Sequence, residues 1–228
     1  MSTPALPTQL MDLARESVRQ LDQHPVAAQL MQGTIPATTY VRYLAMVRRQ
    51  ISGSAPMLEQ AGRKLCAMQR DELSRLFLRK AGEEDGHDAW ATSDIEQLGF
   101  VPSAVERACP SGAVDAYIAW TSYCVEHSPV AVLGVAWILE WFGLSRAGAA
   151  ADAMTRHSRI PRIAQAVRFL RGHAEADGAH VQALGDALRH VEPREAEATL
   201  LSARVTAALY LSFFDAAAGV PGRIGAAP

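Results

Sequence analysis

The chain has 228 residues, with 22 Lys+Arg against 24 Asp+Glu and a formal net charge of −2. Its 49% apolar and 20% charged residues describe a folded globular chain and exclude a disordered one. The near-neutral balance, with no basic block, argues against nucleic acid or an anionic membrane as the main partner. Cys66, Cys109 and Cys124 form no CxxC pair, so no disulfide framework is expected. Met1 to Gln9 has neither the basic nor the apolar part of an export signal. The purely apolar runs are short, well below the ~20 residues of a membrane span. A cytoplasmic protein is the expectation.

The periodicity is helical almost throughout. Leu10, Leu13, Ala14, Val18 and Leu21 form one buried helix stripe. His24-Pro25 breaks it, and a short helix from Val26 to Met31 ends at Gly33, a left-handed cap position. Pro36 opens a longer helix through Tyr40, Tyr43, Leu44 and Val47. Ser52-Gly53-Ser54 and Pro56 read as a kink in it rather than an end. Asp71 then caps a helix from about Glu72 to Leu98, closed by Gly99. Pro102 to Gly112 reads as a loop. A helix from Ala113 to Glu126 follows, and then Val130 to Phe142, apolar on all sides and so central. Ile160 to Val191 reads as one long helix, and Pro193 to Ala217 as the last. Hairpin signals and a fixed repeat are missing. The expected fold is all-α, a single domain over residues 1–228, built as a helical bundle of about seven or eight helices, with residues 218–228 a flexible tail.

Three clusters carry chemistry. His173, Asp177 and His180 stand four and seven residues apart, so helical rotation returns all three to within ~40° of one face. Two imidazoles and a carboxylate on one face suit iron(II). Glu84 and His87, three apart, form a second carboxylate–histidine pair. Gly86 between them costs a helix about 1 kcal/mol relative to alanine. Glu140 follows Trp137, Ile138 and Leu139, and an ionised carboxylate buried alone there would be costly unless a metal paired it. The plainer reading of each cluster is a solvated polar face. Taken together, three histidines and three carboxylates from three helices are enough for two metal ions, as in carboxylate-bridged bundles. Lys80, one turn before Glu84, would neutralise charge at that pocket or bind substrate. Arg48 or Arg49 would pair a substrate carboxylate if directed inward, and Trp137 would line the pocket if Glu140 is a ligand.

These residues carry a resemblance. His24-Pro25…Gly33-Thr34-Ile35…Tyr40-Val-Arg-Tyr43-Leu44, then Glu83-Glu84-Asp85-Gly86-His87, then Glu140, then His173-xxx-Asp177-xx-His180 make the chain similar to the haem-oxygenase-like superfamily. Within it, the resemblance is to the non-haem di-iron oxidases and oxygenases, from about His24 to Leu188. It implies that Glu84, His87, Glu140, His173, Asp177 and His180 bind iron and that the reduced site activates O2. The substrate implied is small, an amino acid or amino-acid-derived metabolite of a biosynthetic pathway. Arg49, Lys80 and Trp137 would contact it. An external electron donor and a homodimer are implied as well. Lys80 stands where members often carry a metal-binding or polar residue. Arg48, Arg49 and Gln50 stand where relatives carry histidines or acids. One iron or two therefore stays open. Haem is not expected, because the first helix offers no proximal histidine. The alternatives are a metal-free thiaminase-like or cofactor-maturation-like enzyme, with Cys124 the candidate nucleophile, and a non-catalytic small-molecule-binding relative.

Overall fold

The computed structural model describes residues 4–219, apart from the side chains of Ala176 and Asp177. Twelve α-helical segments follow in order: α1 (Leu6–Gln23), α2 (Pro25–Gln32), α3 (Ala37–Ser52), α4 (Ser54–Ala67), α5 (Asp71–Glu84) and α6 (Asp88–Gln97), then α7 (Pro102–Ala108), α8 (Gly112–His127), α9 (Val132–Phe142), α10 (Gly148–His157), α11 (Arg168–Ala187) and α12 (Pro193–Gly219). A π turn, Gly143–Ala147, joins α9 to α10 in one rod, Pro129–His157. Counting that rod once, the described residues hold ten helices of eight residues or more and a shorter one, Pro102–Ala108. No strand occurs among the described residues. The all-α expectation therefore stands, but the count of seven or eight is corrected upward.

The extra helices come from glycines and prolines that divide continuous periodicity. Gly53 caps α3, and α4 turns away to pair along its length with α5, so the expected kink is an end. Gly86, at φ 81, breaks the single helix expected from Glu72 to Leu98 into α5 and α6. That left-handed backbone explains the glycine, since a side chain would be strained there. The stretch expected to be a loop after Pro102 instead contains α7, with Pro102 at its first position. The long helix expected from Ile160 begins only at Arg168, after an irregular segment in which Arg162 is left-handed. The last helix reaches Gly219, and residues 220–228 lie outside those described.

Helix α9 is the axis of the bundle, buried at nearly every position and packed on α1, α8, α11 and α12. Its crossing with α12 is close because Gly134 faces the α12 backbone: a Cβ there would lie 2.1 Å from the Thr199 carbonyl oxygen. Although the purely apolar runs are short, Pro129–His157 and Pro193–Gly219 are long and apolar enough to cross a membrane by length and composition. In the bundle the first of these is the mostly buried rod just described.

The start of α11 is pinned from two sides. The buried Asp94 carboxylate of α6 accepts hydrogen bonds from the Arg168 and Phe169 amides, both at 2.9 Å. The Tyr40 hydroxyl of α3 donates to the Ala166 carbonyl at 2.9 Å. These contacts satisfy backbone groups that a helix end leaves open. They also fix the helix that carries His173 and His180.

Candidate metal centre

The chain brings five of the six expected donors to one place, where the end of α5, α9 and α11 meet. Glu84 is the last residue of α5, and His87 stands just beyond the Gly86 turn. The pair therefore straddles a helix junction rather than sharing one helix face as expected. Glu140 comes from the last turn of α9, and His173 and His180 from α11. The sixth donor, Asp177, has its backbone on α11, but its side chain lies outside those described.

The donors form two triads with a common member. Ligand atoms of Glu84, His87 and His173 all lie within 4.8 Å of one another, and so do those of Glu84, Glu140 and His180. His173 Nδ1 lies 3.0 Å from the Phe169 carbonyl. A carbonyl only accepts, so Nδ1 carries the hydrogen and Nε2 carries the lone pair, the arrangement a metal-ligating imidazole uses. Burial pushes the His173 pKa down, which keeps the ring neutral and able to ligate. His87 Nδ1 is buried without a hydrogen-bond partner: Glu84 Oε2 is 3.3 Å away, but not in bonding alignment. An orphaned buried ring nitrogen beside a carboxylate and a second imidazole fits a metal ligand.

The second triad is already satisfied electrostatically. The Lys80 ammonium, with its side chain 3% exposed, is ion-paired with Glu140 Oε1 and lies 3.6 Å from Glu84 Oε1. Glu140 Oε2 pairs with His180 Nδ1 at 3.1 Å. Burial would raise the Glu140 carboxyl, but the His180 hydrogen bond and the Lys80 charge outweigh it and hold the group well below the ordinary range. At Glu84, burial is likewise outweighed by His87 and Lys80, and its pKa is lowered. The Glu140 hydrogen bond raises His180. Glu83 places Oε2 3.4 Å from His180 Nε2 and belongs to the surroundings of the site.

Against the triads lies a cavity of about 100 Å³, lined mainly by aliphatic and aromatic side chains such as Leu30, Met57, Val135 and Phe169. Lys80, Glu84, Glu140 and His173 form its polar wall. The π turn contributes Gly143, Arg146 and Ala147, one more case of a π turn beside a candidate site. Of the expected substrate contacts, Lys80 lines this cavity. Arg49 turns outward, where Asp115 holds it at 2.6 Å, and Arg48 is engaged by Glu106 and Thr92. Trp137 is buried away from the cavity wall, and its indole N–H donates to the Leu10 carbonyl. Trp90, which the sequence did not single out, stacks on His87 at 3.9 Å and meets His173 edge-on at 5.4 Å. Gly172 makes room for it, since a Cβ there would lie 2.5 Å from the Trp90 ring, and the position of Trp90 three residues after His87 is the sequence signal that could have found it.

Fold and donors together define a haem-oxygenase-like helical bundle with two candidate carboxylate–histidine clusters. A family model described as iron-containing redox enzyme matches residues 30–211, and the chain belongs to that family. Solved structures share the fold. A domain of unknown function with a heme oxygenase-like fold from Shewanella denitrificans is 19% identical, with a TM-score of 0.77 over 95% of this chain and 93% of that one. A TenA homologue from Pseudomonas syringae pv. tomato is 11% identical, with a TM-score of 0.80 over 96% and 95%. The heme oxygenase of Leptospira interrogans is 16% identical, with a TM-score of 0.64 over 92% and 98%. At such identities the likeness is one of fold. No curated protein matches the chain.

Proposed function

We propose that the protein is an iron-dependent oxidoreductase that uses O2 to oxidise a small, mainly apolar substrate. The observation that carries this reading is the buried, unpartnered His87 Nδ1 set against Glu84 and His173. Glu84, His87 and His173 would hold one ion, and Glu84, Glu140 and His180 a second, with Asp177 added by its spacing on α11. Iron bound there would supply one-electron redox chemistry and open positions for O2. The chain's own residues do the remainder. Phe169 fixes the His173 tautomer through its carbonyl, Trp90 sets the tilt of both imidazoles, and the apolar cavity excludes water from the reacting face.

Shape and apolar contact select the substrate, because Arg48 and Arg49 are committed to other carboxylates. The two cations on the cavity wall are committed as well, Arg146 to Asp22 at 2.6 Å and Lys80 to Glu140, so an amino-acid-derived substrate would have to displace one of those carboxylates to pair its own. Anaerobic Fe(II) should raise the melting temperature of the wild-type protein by mass-action linkage and leave Glu84→Ala/His173→Ala unmoved. An equal shift in both, or none in either, sinks the reading.

A metal-free enzyme of the TenA-like kind is the second reading, and the backbone likeness to TenA homologues supports it at least as well. The Lys80–Glu140 pair also favours it, since it neutralises the buried carboxylate without any metal. Its nucleophile is not Cys124. That thiol is buried off the cavity wall, and desolvation pushes it up to about 11.

A further inference from the structure

The two triads differ in one respect that decides how they load. In the first, His87 Nδ1 is a buried nitrogen that makes no hydrogen bond, with Glu84 Oε2 3.3 Å away, and His173 is fixed in the tautomer that leaves Nε2 its lone pair. In the second, both Glu140 oxygens already have partners, Lys80 on Oε1 and His180 on Oε2. The ammonium also lies 3.6 Å from Glu84, the carboxylate both triads share. Lys80 thus pairs with both carboxylates of the second triad.

We infer that Lys80 is the resident cation of the second triad, so that the chain binds one metal ion tightly and a second only by displacing the ammonium. The inference rests on the metal-binding reading above. Its physical basis is charge. A buried carboxylate, Glu140, and a mostly buried one, Glu84, near one another need a cation, and the chain supplies a monovalent one from one turn before Glu84 on α5. A divalent ion at the second triad meets that ammonium in a poorly screened pocket and is repelled until Lys80 moves. The first triad meets the ammonium only through Glu84, 3.6 Å away, and not through a second carboxylate, so its barrier is the smaller one.

The test is anaerobic titration of the full chain with Fe(II), with Co(II) as an optical probe, read as ions bound per chain and as affinity. The wild-type protein should take one ion per chain stoichiometrically, with the second about a hundredfold weaker or not detected. Lys80→Met should tighten the second ion at least tenfold, and Lys80→Arg should keep the wild-type pattern. Two ions of equal affinity in the wild-type protein, or a Lys80→Met isotherm that superposes on it, overturns the inference while sparing the metal site. Should Lys80→Met fail to fold, the wild-type isotherm decides alone. No ion in a folded wild-type chain is the separate outcome that removes the metal reading itself.

Discussion

Glu140 illustrates what the sequence showed and what it hid. Its neighbours Trp137, Ile138 and Leu139 announced a buried carboxylate, and burial demanded a partner. The partner proved to be Lys80, sixty residues earlier, joined by His180, forty residues later. No local pattern reports a pairing across that distance. Asp94 was equally silent: it sits inside an ordinary helical stretch, yet it caps α11 from 74 residues away. Its environment yields a prediction with a definite sign. Burial, only partly offset by the Phe169 and Arg168 amides, raises its carboxyl from 3.8 to about 6. A folded-state pKa raised above the unfolded one gives stability that is full below about 4 and lost as pH rises through about 6. Relative to Asp94→Asn, the wild-type protein should therefore lose on the order of 2–3 kcal/mol between pH 4 and pH 7. Urea unfolding of both proteins at those two pH values measures this. A difference independent of pH contradicts it.

Between elements, close approach rather than hydrophobic pattern sets the geometry. The α9 stripe was readable as central because it is apolar all round. Its crossing distance was not, since Gly134 reads as a mere interruption of an apolar run. Gly134→Ala would drive a methyl into the Thr199 carbonyl and the Ser202 hydroxyl, and backbone cannot step aside cheaply. The expected loss is about 3 kcal/mol or more, at the high end of overpacking, measured by chemical denaturation. Gly172→Ala meets the Trp90 ring instead. It should cost about 1–3 kcal/mol, shift the tryptophan emission and weaken metal binding by displacing the ring from His87. Native emission and wild-type metal affinity in that variant would show that Trp90 does not position the imidazoles. The α5–α6 break shows the same blindness from another side. Leu73, Leu76 and Phe77 continue in helical phase to Ala91 and Ile95, so periodicity runs through Gly86 and only its positive φ reveals the turn.

For the molecule as a whole, the bundle places an apolar cavity against the donors of α5, α9 and α11, with α6 and α3 clamping the start of α11 behind them. The all-α architecture was legible because apolar periodicity of 3.6 recurs from Leu10 to Ala217. His173 and His180 were legible because few histidines occur and their spacing matches two helical turns, and Glu140 because its neighbours are apolar; Glu84 and His87 were reached through a helical spacing that the Gly86 turn interrupts. The arrangement of those donors into two unequal triads was not, for it depends on where a lysine side chain goes. The most direct test of the central claim is elemental analysis of the protein after anaerobic Fe(II) loading and desalting, followed by optical spectra on exposure to O2. Iron retained by the wild-type protein, with a spectral change on O2 that His173→Ala lacks, is the predicted result. A folded chain that retains no iron would contradict it and turn attention to the metal-free reading.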